Sequence, residues 1–140
     1  MVLGLSVTYF PDLTPYVYGE TDRDRLNVGW LDGDHGFPVG PVAPELRTAL
    51  VHLLKFQVNE TRGAHACVFC GRQQITFVDD EGYECMLGAA ELHIDGNDGS
   101  SYASPSLIVH YVIGHNYSPP KSFCDAAIDY ATFYGAFLKS

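Results

Sequence analysis

His65-Ala66-Cys67-Val68-Phe69-Cys70-Gly71 is the stretch on which the reading of this 140-residue chain turns. Two thiols two residues apart, followed by a glycine that lets the turn tighten, form the usual half of a zinc site. A second pair of donors lies downstream. His110 and His115 are separated by four residues, a spacing within the range of paired histidine ligands. Between Cys70 and His110 stand 39 residues, far more than a zinc finger has. The order of knuckle, hairpin and helix predicts a treble-clef-like zinc substructure instead.

One feature departs from that pattern. A treble clef takes its second ligand pair from the start of a helix, whereas here His110 falls mid-helix and His115 beyond its end. Five residues of continuous helix turn the chain by roughly 500°, which leaves the two side chains roughly 140° apart. They converge on one ion only if the helix breaks at Gly114. His65, Cys85 and Cys124 are the substitute donors; His65 shares a face with Cys67 if that stretch is extended. Two other readings stand beside the metal. One is a pair of buried thiols next to a turn. The other is a redox dithiol, which the strand expected after the knuckle disfavours, because a helix N-terminus is what lowers such a thiol pKa.

A shell filled by Cys67, Cys70, His110 and His115 is closed and structural. With only three protein donors, water takes the fourth place and zinc activates it. Glu91 is then the candidate general base, on the strand expected beside the site. Its alternative is an ordinary exposed strand carboxylate, and for the two histidines it is a satisfied core or surface imidazole.

The rest of the chain reads as one α+β domain over residues 1–140, a small antiparallel sheet packed against about three helices. Residues 6–10 and 26–31 suggest short strands, with Leu26, Val28 and Trp30 alternating before the Asp32-Gly33 turn. Pro44 at a first helical position, with Leu46, Leu50, Leu53 and Leu54 at helical spacing, predicts a helix to about Gln57. Gln74–Val78 reads as a strand and Asp79–Gly82 as a turn. Within Tyr83–Ile94 the second strand is expected over Ala89–Ile94. Ser104-Pro105 signals a helix start by N-cap and N1 chemistry, with an end near Gly114. Ser118-Pro119-Pro120 opens a last helix that buries Phe123, Ala127, Tyr130, Ala131, Tyr134 and Phe137.

Composition bounds the function. Hydrophobic residues at 46% and aromatics at 13% are ample for one core, and the net charge of −9 repels phosphates and anionic membranes. Neither nucleic acid nor a membrane is an expected partner. No apolar run reaches the roughly 18 residues of a membrane span. The N-terminal residues lack a basic n-region and a cleavage site, so a cytoplasmic location is expected, where a C-x-x-C points to metal or redox work. Asp79, Asp80, Glu81, Glu84, Glu91, Asp95 and Asp98 share one window without Lys or Arg. That window is either a solvated hairpin or a surface for a basic protein partner. Asp32-Gly33-Asp34-His35-Gly36 and Asp95–Gly99 read as turns, the latter with the wrong spacing for calcium. His110-Tyr111 with Tyr117 reads as a core corner. Nucleophile-elbow, phosphate-loop and H-E-x-x-H signatures are absent.

Asn27-Val-Gly-Trp-Leu31, His65-Ala-Cys-Val-Phe-Cys70 and Pro105-Ser-Leu-Ile-Val-His-Tyr111, with His115, Tyr117 and Pro119-Pro120, resemble a family of small uncharacterised bacterial proteins. The resemblance spans residues 26 to 124 and implies a single bacterial domain with no activity to transfer. Three functions follow from the residues. The first is a zinc-stabilised cytoplasmic protein acting through protein binding, as an acidic immunity or accessory factor. The second is a small zinc hydrolase in which Glu91 or His115 moves protons. The third is a structural dithiol protein without metal.

Overall fold

The computed structural model describes residues 9–60, 66–70, 75–78, 82 and 84–139, and the side chains of these up to residue 133. Among the described residues, five strands, β1 (Leu26–Asn27), β2 (Ile75–Val78), β3 (Glu84–Leu87), β4 (Glu91–Asp95) and β5 (Ser101–Pro105), and three helices, α1 (Pro44–Leu53), α2 (Ile108–His115) and α3 (Lys121–Lys139), make the expected α+β arrangement. The strands form two sheets, one ordered β1-β5-β4 and one formed by β2 and β3. The larger sheet is mixed rather than wholly antiparallel, because β1 joins β5 in parallel while β4 joins it antiparallel.

Tertiary pairing overrides the local signal at Ser104-Pro105. The pair ends β5, with Pro105 opposite Glu91 and Ser104 opposite Leu92, and the helix begins three residues later at Ile108. A proline at a strand's end costs no ladder bond. Tyr102, Ala103 and Ser104 are buried between β1 and β4. The segment after the knuckle also differs from expectation. Glu84–Leu87 pairs with β2 in register, Ile75 opposite Leu87 and Val78 opposite Glu84. Gly88, at φ 98°, then ends that hairpin, and Glu91–Asp95 enters the other sheet. The expected strand over 26–31 is cut short at Asn27. Gly29 adopts φ 83°, and a Cβ there would stand 2.8 Å from Ile108 Cδ1, so β1 ends where the backbone presses on α2. Val28 and Trp30 are nevertheless buried as the alternation predicted.

The first helix runs as predicted and tightens into a 3-10 turn over Leu54–Phe56. It buries Leu46, Leu50 and Leu53 and packs against α3 and α2. The last helix follows Pro119-Pro120 as expected and buries Phe123, Ala127 and Ala131. The expected strand over 6–10 is absent at Tyr9 and Phe10, and its earlier residues lie outside the described ones, as do His65, Asp79–Glu81 and the side chains of Tyr134 and Phe137. Among the described residues no helix is long and apolar enough to cross a membrane.

Candidate metal centre

Cys67 and Cys70 stand on a tight turn just before β2. The backbone amides of Phe69 and Cys70 donate to the Cys67 thiol, the local cause of the knuckle shape. Phe69 anchors the turn: its ring lies 5.4 Å from the His115 ring, 5.7 Å from Tyr111 and 5.1 Å from Phe37. The knuckle is thereby seated on α2, which carries both histidines.

The four donors meet. Cys67 Sγ is 3.3 Å from His115 Nε2, His115 Nε2 is 3.2 Å from His110 Nε2, and His110 Nε2 is 3.6 Å from Cys70 Sγ. All four atoms lie within 4.8 Å of one another. Zinc bonds of about 2.3 Å to sulfur and 2.0–2.1 Å to nitrogen, at tetrahedral angles, put adjacent sulfur and nitrogen about 3.6 Å apart and two nitrogens about 3.3 Å apart. The three contacts lie close to those values, and the four residues together could hold a single ion. Two soft thiols and two imidazoles form a donor set that can hold a metal ion. Both cysteines are free thiols rather than a disulfide.

The histidines converge without the break expected at Gly114. The helix continues through Gly114 to His115 and ends at Asn116, whose left-handed φ of 59° turns the chain away. The missing side chain at Gly114 does what a break was expected to do. A Cβ there would stand 3.3 Å from His110 Cε1 and 3.5 Å from Nδ1, so the His110 ring lies across the last turn and reaches toward His115. That glycine, four residues after His110 on the same helix face, is the functional residue the sequence reading misjudged. The local signal was present, since i and i+4 positions are neighbours on a helix.

The environment is asymmetric. Cys67 is buried, Cys70 is exposed and both histidines are half-buried, so the cluster sits at the surface with one sulfur toward solvent. Burial pushes the Cys67 thiol above its ordinary pKa, against the two amides that favour the thiolate. A cation held there would supply the compensating charge, because metal binding deprotonates a coordinating thiol. Cys85 and Cys124 lie elsewhere: the Cys85 sulfur accepts from Gln57 Nε2 at 3.1 Å, and the Cys124 thiol donates to the Pro119 carbonyl at 3.6 Å.

Glu91 is not among the four donors. Its side chain is buried, and Oε1 accepts from Tyr16 Oη at 2.6 Å, His93 Nε2 at 2.9 Å and Asn59 Nδ2 at 3.1 Å. It is neither an exposed strand carboxylate nor a member of the metal cluster. The acidic window is likewise less uniform than the sequence implied, since Asp95 pairs with Arg25 at 2.9 Å. His35 bonds to Asp32 at 2.8 Å within its own turn. Tyr111 and Tyr117 are core residues, as read.

Fold and cluster together define a small α+β protein with a Cys2His2 group able to take a metal ion. The chain belongs to the family described as Domain of unknown function (DUF7919), which matches residues 8–128. The match covers the knuckle, both histidines and β1 to β5. It agrees with the resemblance to an uncharacterised family. No curated protein and no solved structure matches the chain.

Proposed function

We propose that this protein binds one zinc ion through Cys67, Cys70, His110 and His115, and that the ion is structural. It ties the knuckle to the end of α2, and the protein acts through binding a basic protein partner, as an acidic immunity or accessory factor in the cytoplasm. The observation that carries the zinc reading is the gathering of four donor atoms within 4.8 Å, three of their contacts lying at 3.2–3.6 Å. Four protein donors leave no coordination position for water, which favours a structural ion over a hydrolytic one. The engagement of Glu91 with Tyr16, Asn59 and His93 points the same way. The net charge of −9 supports a basic partner.

Elemental analysis of the purified protein, alongside the Cys67→Ser, Cys70→Ser double variant, tests the zinc. About one zinc per chain, lost in the variant, is expected. No metal in either protein overturns the reading and leaves the cysteines as core or redox residues.

A further inference from the structure

A second cluster of ionisable groups, sharing no residue with the metal donors, surrounds Glu91. Ionised, its carboxylate only accepts hydrogen bonds, so the 2.9 Å contact with His93 requires the proton on Nε2. A neutral imidazole then carries its lone pair on Nδ1, and that atom has no hydrogen-bond partner among the described residues. Tyr16 and Asn59 donate to the same Glu91 oxygen. Gly19 closes the back of the network, where a Cβ would fall 2.5 Å from Tyr16 Oη and 3.2 Å from Glu91 Oε2. Glu91 thus holds the His93 ring in the tautomer with its proton on Nε2, the arrangement by which a buried carboxylate orients a neighbouring imidazole.

His93 also lines a cleft of about 660 Å³, formed by the 20–25 segment, β4 and the end of α1. That volume falls within the range of small-molecule sites. Its charged lining is Glu20, Asp22, Asp95, Arg23 and Arg25. Neither guanidinium is free for an anion. Arg25 is buried and committed to Thr21, Asp22, Asp95 and the carbonyls of Ile94 and Tyr102. Arg23 pairs with Asp22 and Asp95. Three carboxylates against two engaged cations leave the cleft negative, with Glu91 behind His93.

We propose that this cleft is a second binding site, for a small organic cation bearing N–H donors, with His93 Nδ1 as its inner acceptor and Glu20 at its rim. Phe56 and Tyr130 supply aromatic wall for such a cation. The site is independent of the zinc reading.

The test uses the 140-residue chain as purified, labelled with ¹⁵N. Long-range proton–nitrogen spectra follow the His93 ring during titration with 1,4-diaminobutane, with sodium acetate at matched ionic strength as the control. A saturable change at His93 Nδ1 with the diamine and none with acetate is expected. In calorimetry, His93→Gln should weaken diamine binding at least about tenfold and Glu20→Gln about threefold. No saturable change, a change confined to His110 and His115, or binding of acetate overturns the proposal. If His93→Gln loses its fold by circular dichroism, the wild-type spectra and Glu20→Gln still decide.

Discussion

If the cluster holds zinc as proposed, replacing Gly114 by alanine changes no donor yet acts on metal binding and on the fold in opposite directions. Gly114 is exposed in the last turn of α2 with an ordinary helical backbone. Alanine there favours the helix by up to about 1 kcal/mol, and by about half that near a fraying end. The new Cβ, however, stands 3.3 Å from His110 Cε1. The ring must retreat by roughly 0.3 Å, more than the tolerance of about 0.2 Å that metal–ligand distances allow. A metal-free His110 can yield, whereas a ligating one cannot. Loss of such support for a ligand costs 10–100-fold in metal affinity, or about 1.4–2.7 kcal/mol. Gly114→Ala should therefore raise the melting temperature of the metal-free protein by about 2 °C while weakening zinc binding at least about tenfold. Thermal unfolding in chelator and competition against a chromophoric zinc chelator measure the two effects. Affinity within twofold of wild type, or a destabilised metal-free protein, would refute the account of how His110 reaches the site.

Other expectations follow from the same geometry. If the ion is structural, free zinc about 1,000-fold above its Kd contributes about 4 kcal/mol, so chelation should lower the melting temperature by about 10 °C or more; calorimetry showing no change argues against a structural ion. Arg25→Met removes a buried guanidinium that satisfies Asp95 and two carbonyls and should destabilise by about 2–3 kcal/mol, at the low end for a buried pair because Asp95 is partly exposed; a urea midpoint within 0.2 M (about) of wild type contradicts this. Burial pushes the Cys124 thiol up to about 11, so at pH 8 its thiolate fraction is about 100-fold below that of an unperturbed thiol of pKa 9. Site-resolved alkylation should find it correspondingly slow, and rapid labelling in the folded protein would contradict that burial. The folded state binds this proton more tightly than the unfolded one, so the associated stability is complete below about pH 9 and is lost as pH rises toward about 11; unfolding midpoints across that range check the sign.

The amino-acid sequence by itself determined the helices α1 and α3 and singled out the four residues that gather in one cluster. Proline at a helix start, leucines at helical spacing and two cysteines around a turn are local signals that survive in any compact arrangement. The sequence also placed Val28 and Trp30 inside. It did not reveal that Ser104-Pro105 ends a strand, because an N-cap signature is worth only about 1 kcal/mol and burial of Tyr102 and Ala103 between two partners outweighs it. Nor did it place Glu91, whose environment depends on Tyr16, 75 positions away in the chain. The meeting of Cys67 with His115 is likewise a tertiary result. Helical geometry alone sets the two histidines apart, and only the packing of Phe69 against α2, with the space left at Gly114, brings four donors to one point.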